Sequence, residues 1–226
     1  TTGDRTLTVT AGTSTATFAG VIGGGANGQL ADFDVTAATI NLNGGTIQLD
    51  DDDAALATAT LTGAVVLGAN TTIDTDKATG TDNNVTFTST IDATTQGVET
   101  LSLTAGGGDV AFNGVIGSGG ATTELGGLTI TSADQVTLGA NIFTDGDGAG
   151  TGDIDLSGAT SLAFGATSIS IDTDATGGTT DAGILNMTAV INDNTVDLAI
   201  DTTADGGGAD QSITLSTTTL DSLDLD

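Results

Sequence analysis

An all-β fold, built as a parallel β-solenoid, is predicted by three features of this sequence. Short segments alternate apolar with polar residues, which is the pattern of half-buried strands. Lys and Arg together number only 2, so two strong helix formers are almost missing. Long stretches of sequence recur, as in repeat proteins, where insertions fall in loops while the stacked core keeps its register.

The predicted strands share one composition. Val, Ile or Leu alternates with Thr, Ser or Asp, and β-branched side chains suit a pleated surface. Turns of Gly, Asp, Asn and Thr separate the strands at a spacing of about 8–12 residues. In chain order the clearest segments are 7–10 (LTVT), 128–131 (LTIT), 136–138 (VTL), 154–156 (IDL), 169–172 (ISID) and 213–216 (ITLS).

The sequence repeats itself over a long distance. Residues 6–25 (TLTVTAGTSTATFAGVIGGG) recur as residues 100–119 (TLSLTAGGGDVAFNGVIGSG), with 11 of 20 positions identical. We therefore expect one elongated domain over 1–226, with superunits of about 95 residues at 5–98 and 99–194 and the start of a third at 195–226. Tandem β-sandwich domains of about 95 residues are the alternative, which the incomplete third copy disfavours.

A solenoid with three strands per coil would stack its coils about 4.7–4.9 Å apart. The apolar positions that match between the copies would then form the interior. The residues predicted to point inward are Leu7, Val9, Phe18, Val21, Leu101, Leu103, Phe112, Val115, Leu128, Ile130, Val136 and Leu138.

Composition argues against catalysis. The chain has no His, Cys, Trp or Tyr, and therefore no imidazole base, no thiolate and no large aromatic platform for a sugar. Paired carboxylates, which glycoside hydrolysis needs, are present at Asp50–Asp53 and at Asp153 and Asp155. Among 30 acidic residues such pairs arise by chance, so we expect no enzyme.

Charge and hydropathy limit the partners. A net charge of −28 repels phosphate, so nucleic acid is not expected as a partner. No apolar run approaches the roughly 18 residues of a membrane span, so membrane insertion is not expected either. The chain does not begin with Met and shows no signal sequence, which favours a processed or excised piece of something longer.

Aspartate-rich turns are the sharpest candidates for a binding site. Asp145 with Asp147, and Asp172 with Asp174, place carboxylates two residues apart, and calcium prefers about six to eight oxygen ligands. Counted from Asp145, the last position of an EF-hand loop is Leu156, where a bidentate Glu is needed. Aspartates also shape turns by accepting bonds from their own backbone. These four residues are calcium candidates, and the sequence requires no cofactor.

Threonine series suggest a third kind of surface. Thr6–Thr10, Thr58–Thr62 and Thr86–Thr88 place hydroxyls on one side of a strand, and flat threonine ladders on solenoids resemble ice-binding surfaces. At an offset of 100 residues, Thr86 and Thr88 correspond to Asn186 and Thr188, which breaks the ladder. We favour ordinary outward threonines and keep ice binding as a minor alternative.

The segment TLSLTAGGGDVAFNGVIG (100–117), followed by GLTITSADQVTLGAN (127–141), resembles the repeats of filamentous-haemagglutinin-like adhesins and related exported passenger domains. The resemblance extends over nearly the whole chain and lies in its order of strand, glycine turn and asparagine-bearing turn. It implies a right-handed parallel β-helix that is extracellular, at the bacterial cell surface, and serves as a non-catalytic structural or adhesive shaft.

The expected partners are neighbouring repeats of the same chain or further copies of it, and no surface or glycan ligand is identified. A self-assembling extracellular filament, sheath or surface-layer subunit is the alternative function, because exposed strand edges at end coils invite stacking.

Overall fold

The computed structural model of the chain describes residues 5–25, 28–49, 58–76, 84–118, 122–175, 182–192, 195–204, 208–215, 218–219 and 222–225. These residues form 21 β-strands, and no helix among them could cross a membrane. The strands are β1 (Thr6–Thr10), β2 (Thr15–Phe18), β3 (Asp32–Leu42), β4 (Thr46–Gln48), β5 (Thr58–Leu67), β6 (Thr71–Asp74), β7 (Asn84–Phe87), β8 (Ile91–Ala93), β9 (Thr100–Thr104), β10 (Val110–Phe112), β11 (Gly127–Leu138), β12 (Ile142–Phe143), β13 (Ile154–Asp155), β14 (Ala159–Phe164), β15 (Ser168–Asp172), β16 (Leu185–Met187), β17 (Val190–Asn192), β18 (Asp197–Asp201), β19 (Ile213–Leu215), β20 (Thr218–Thr219) and β21 (Ser222–Leu225).

The strands stack in parallel on three faces. The first face holds β1, β7, β10, β14, β17 and β20, the second β2, β8, β12, β15, β18 and β21, and the third β4, β6, β9, β13, β16 and β19. Strands β3 and β5 bend from the first face onto the second, and β11 bends from the third face onto the first. The prediction of a β-solenoid is confirmed, and the arrangement is consistent with a right-handed β-helix.

One coil takes about 26 residues. On the first face Thr6 pairs with Asp32, and Thr58 pairs with Asn84, so each step advances the chain by 26 residues. Nine strands follow one another on this face, from β1 to β20. At about 4.8 Å per coil the described rod is roughly 40 Å long.

The interior is a continuous apolar column. Among the residues predicted to point inward, Leu101, Leu103, Phe112, Leu128, Ile130, Val136 and Leu138 are buried, and Leu7, Val9 and Phe18 are partly buried against the core. Phenylalanines stack on neighbouring coils, with the rings of Phe87 and Phe112 separated by 5.4 Å between centroids at an interplanar angle of 11°. The core is therefore filled by like side chains stacked along the rod axis.

Two of the interior predictions are wrong. Val21 is 57% exposed, and Val115 is only half-buried, whereas Ile22 packs against the core and Ile116 is 1% exposed. The backbone sets this phase, because Ile22 bridges Ile47 and Ile116 bridges Ile91 on the neighbouring coils. Since side chains alternate along a strand, the valine before each isoleucine must face outward.

Glycine allows the long strands to turn a corner. In β5, Gly63 has a φ of 136°, and a Cβ at this position would lie 1.9 Å from the carbonyl oxygen of Ala37 on the coil below. The register between β3 and β5 shifts near this point, between Thr36 and Thr39. A residue with a side chain could adopt neither this φ nor this close approach without strain.

The two long sequence copies lie on different faces. Strand β1, which opens the first copy, is on the first face, and β9, which opens the second, is on the third face between β6 and β11. An offset of 94 residues is about three and two-thirds coils of 26 residues, so each copy starts one face away from the corresponding position. The coil, and not the long repeat, is the unit that stacks.

Candidate functional site

The buried acidic residues gather at one corner of the rod. Among the described residues, the acids that are buried are Glu99, Glu124, Asp145 and Asp174, and all four lie in or beside the connections between the second and third faces. We call these four residues the acidic corner. Two of the four calcium candidates, Asp145 and Asp174, therefore belong to it.

Asp145 is fully buried and its carboxylate already has donors. Its Oδ2 accepts a hydrogen bond from Nε2 of Gln96 at 2.5 Å, and its Oδ1 accepts one from the backbone N–H of Asp147 at 2.6 Å. Gln96 lies 49 residues earlier in the chain, so the contact joins two separate connections of the corner. Hydrogen bonds of this kind are what a buried carboxylate needs to avoid a large desolvation cost.

The second candidate pair has the same local geometry. Oδ1 of Asp172 accepts a hydrogen bond from the backbone N–H of Asp174 at 3.0 Å. The same turn recurs elsewhere, where Oδ1 of Asp155 accepts from Ser157 at 3.0 Å and Oδ1 of Asp201 accepts from Thr203 at 2.9 Å. An aspartate that binds its own backbone two residues on is an ordinary turn device.

Glycine brings the connections of the corner into backbone contact. A Cβ on Gly148 would lie 2.4 Å from the carbonyl oxygen of Gly97, and a Cβ on Gly150 would lie 2.2 Å from that of Gly126. The N–H of Gly150 donates to the oxygen of Gly97 at 2.8 Å. The sequence shows these glycines, but their contact depends on coil stacking and could not be inferred from their spacing.

A column of buried threonines continues the corner. The hydroxyl of Thr144 donates to the oxygen of Gly152 at 2.5 Å, and that of Thr202 donates to the oxygen of Gln211 at 3.0 Å. Thr173 lies between them, and its buried hydroxyl has no hydrogen-bond partner within the described part of the chain. The ladder of hydroxyl bonds is therefore interrupted at the middle coil.

The structure brings the calcium candidates close along the chain but forms no complete ligand set. Within the described ranges, no group of three or more His, Cys, Asp or Glu side chains is placed to hold a metal ion. Asp147 is exposed, and Asp172 is half-buried. Calcium binding stays a prediction, and the run Asp50–Asp53 lies outside the described residues.

Other aspartates and asparagines clamp one coil to the next. Oδ1 of Asp32 accepts from the N–H of Thr58 at 3.1 Å, and Oδ1 of Asn84 accepts from that of Asp109 at 2.7 Å. The same bond recurs from Thr100 to Asn70, from Ser118 to Asp92, from Ser170 to Asn141 and from Ile184 to Asp153. In each of these bonds the acceptor side chain precedes the donor by about one coil, so the acids and amides support the stacking directly.

Acidic side chains on the strands are mostly spaced by neutral neighbours. Asp34 pairs with Thr8 and Thr60, and Asp197 pairs with Ser168 and Ser222. Asp172 and Asp201 are an exception, since they pair directly. Such spacing limits the repulsion that a charge of −28 would create if like charges faced each other across adjacent strands.

One carboxyl shows a clear electrostatic cost. Burial, followed by the negative charge of Asp32, raises the pKa of Asp34 above its ordinary value, although hydrogen bonds from Thr60 act in the opposite direction. The two aspartates stand two residues apart on the same side of β3. Their repulsion is a local strain within the first face.

The threonine series form a better ladder than the long repeat indicated. With coils of 26 residues, Thr10, Thr36 and Thr62 pair in one outward row, and Thr88 follows in β7's register. A second row runs through Thr8, Asp34, Thr60 and Thr86, and a third through Thr6, Asp32, Thr58 and Asn84. The expected break at Thr86 and Thr88 came from comparing residues on different faces. The real interruption is the acidic pair on β3.

Comparison of the chain with family models, with curated proteins and with solved structures finds no match.

Proposed function

We propose that the chain is a non-catalytic shaft: a stiff, acidic segment of a repetitive protein exported to the bacterial cell surface, where it acts as a spacer or adhesive stalk. The observation that carries this proposal is the continuous apolar column, in which side chains such as Val85, Val110 and Val136 stack from coil to coil without a change of register. The resemblance to filamentous-haemagglutinin-like repeats supports the same function.

The coil-to-coil clamps support a mechanical role. Parallel strands already bond each coil to the next, and the side-chain bonds to backbone N–H groups add contacts at the corners. Since each coil contacts mainly its neighbours, stiffness would extend along the rod and length could change by whole coils. The acidic surface would keep such a rod soluble.

Length variants test the spacer function. A duplication of residues 32–134, inserted after 134, adds four coils in the existing register and should lengthen the rod by about 19 Å at about 4.8 Å per coil. The matched control duplicates 33–134, which shifts the register by one residue and turns the interior side chains outward. Rods anchored by a C-terminal tag are measured by atomic force microscopy. A folded register-shifted variant, or no gain in height for the in-register one, would contradict the spacer function.

Export is tested separately. The chain, fused behind a bacterial export signal and ahead of an outer-membrane anchor, should be accessible to antibody and protease on intact cells. Retention inside the cell would argue against the surface location while leaving the spacer measurement unaffected.

A second candidate function, ice binding, is favoured by the threonine rows of the first face. The acidic pair Asp32 and Asp34 would hold water strongly within these rows, so we expect no thermal hysteresis from the parent chain. The variant Asp32→Thr/Asp34→Thr completes two of the rows. Thermal hysteresis in the variant and not in the parent would show that the lattice is competent, and its absence from both would end this candidate.

A further inference from the structure

The two ends of the described rod expose side chains that elsewhere lie inside it. In β21 at one end, Leu223 is 40% exposed and Leu225 is 48% exposed, although both continue inward columns through Leu198 and Ile200. At the other end, Leu7 of β1 is only partly buried. Each end therefore presents apolar side chains and unpaired strand edges over one coil.

The first coil has a copy inside the rod that shows what it can pack on. Residues 100–119, which repeat residues 6–25 at 11 of 20 positions, lie on the coil that precedes them. There, Leu103 pairs with Ile73, Phe112 with Phe87, and Ile116 with Ile91. The corresponding Val9, Phe18 and Ile22 of the first coil have no coil beneath them in the single chain.

A glycine marks the same vacant position. A Cβ on Gly114 would lie 2.3 Å from the carbonyl carbon of Ser89 in the preceding coil, so glycine is required there. Its copy Gly20 has nothing within 4 Å of the same position. Packing within the single chain therefore gives no reason for glycine at position 20, whereas a coil stacked on this end would supply one.

The last coil supplies the matching columns. The inward column of Leu101 continues through Leu128, Ile154 and Leu185 to Ile213, and the column of Ile116 continues through Ile142, Ile171 and Ile200 to Leu225. A second copy that docks as residues 100–119 do would place Leu7 on Ile213, Val9 on Leu215 and Ile22 on Leu225. The strand order continues without a gap, because the last strand is on the second face and the next position is on the third.

Charge favours the same pairing. Residues 5–31 contain Arg5 and no acid, and no other stretch of this length in the chain lacks an acid. Residues 205–226 carry five aspartates: Asp205, Asp210, Asp221, Asp224 and Asp226. One coil of about 26 residues also matches the roughly 20–30 residues that a standard interface takes from each partner.

We propose that this chain binds a second copy of itself head to tail, with the first coil of one copy stacked on the last coil of the other and rotated by one face. This inference goes beyond the proposed shaft function and does not depend on it. Because the two contact surfaces differ and the stack does not close, the product is an open filament.

Disulfide trapping tests the register. The chain has no cysteine, so single introduced cysteines give unambiguous links. In the stack, Thr8 of one copy neighbours Thr214 of the other, because Ser102, the counterpart of Thr8, stands in the outward column that runs through Thr129, Asp155 and Asn186 to Thr214. A separation of one coil, about 4.8 Å, suits a disulfide, whose Cα atoms lie about 4.4–6.8 Å apart.

A mixture of Thr8→Cys and Thr214→Cys proteins should therefore form a mixed disulfide under mild oxidation. The matched control pairs Thr8→Cys with Asn186→Cys, one coil further inside the same column, where about 9.6 Å separates the Cα atoms and no mixed disulfide should form. Equal yields from the two mixtures, or no link from either, would overturn the proposal.

Sedimentation velocity of the full chain in 0.15 M NaCl tests the surfaces. Gly20→Val should weaken association at least about tenfold while leaving the melting temperature of the dilute chain unchanged, because space is open around Gly20 in the single copy. Leu225→Asp should also weaken association, whereas Ile184→Asp, at a side chain 43% exposed in mid-rod, should not. A chain that stays monomeric up to millimolar concentration, or association that Gly20→Val and Leu225→Asp leave unchanged, would overturn the proposal.

Discussion

Replacing Phe112 by Ala should cost more stability than most other single changes in this chain. Phe112 is 1% exposed, stacks on Phe87 with 5.4 Å between ring centroids, and pairs with Leu138 on the following coil. Coils are held at a fixed spacing by their backbone bonds, so the walls cannot close around the lost ring. We therefore expect a loss of about 3–5 kcal/mol in the free energy of unfolding, as for other buried aromatic residues.

The matched control is Asp109→Ala, three residues earlier. The side chain of Asp109 is exposed, while its backbone N–H donates to Asn84 and its oxygen accepts from Val85, and both bonds survive the substitution. The expected change is within about 0.5 kcal/mol. Urea unfolding followed by circular dichroism gives both values, and a change in midpoint with an unchanged slope identifies a pure stability effect. Similar losses for the two variants would refute the assignment of inside and outside.

Three further predictions concern charge, calcium and glycine. Because burial and Asp32 raise its pKa, the stability that protonated Asp34 contributes is present at low pH and lost as pH rises through that pKa. Asp34→Asn should therefore raise the melting temperature at pH 7 and leave it unchanged at pH 3. Calcium chloride should raise the melting temperature little more than sodium or magnesium chloride at matched ionic strength, since Asp145 already accepts two hydrogen bonds. A saturable calcium effect that Asp145→Ala abolishes would establish a site instead. Gly63→Ala should destabilise by at least about 1 kcal/mol, because of its positive φ and the oxygen 1.9 Å away. Gly20→Ala, with open space, should change the dilute chain by less than about 0.5 kcal/mol, and equal effects of the two alanines would contradict this account.

The strands and most of the interior could be predicted because alternation is a local property. Leu101, Leu103 and Val136 lie in segments where every second residue is apolar, and burial follows directly. The phase was lost where two β-branched residues stand together, as at Val21 and Ile22. Only the bridge to Ile47 on the next coil decides which of the two faces inward.

The coil length was hidden for a related reason. Residues one coil apart share polarity and seldom identity: Phe33 pairs with Leu7 below and Ala59 above. Identity is highest at an offset of 94, where an ancestral stretch recurs on another face. The longest sequence match therefore concealed the shorter structural period and misplaced the break in the threonine rows.

The acidic corner could be predicted only in part. Spacing in the sequence drew attention to Asp145, Asp147, Asp172 and Asp174, and local turn chemistry explains the bonds within each pair. Glu99 and Glu124 gave no local signal, because their burial depends on connections from several coils packing together at one corner.

The displacement of each long sequence copy by one face affects how the rod meets its surroundings. The first copy opens on the first face with β1 and the second on the third face with β9, and the third copy, from 195 onward, opens on the second face with β18. Any outward motif carried by the copy is thus presented once on each side of the rod. A ligand spread over a surface could engage such a shaft from any direction, and several weak contacts along its length could act together as one strong attachment.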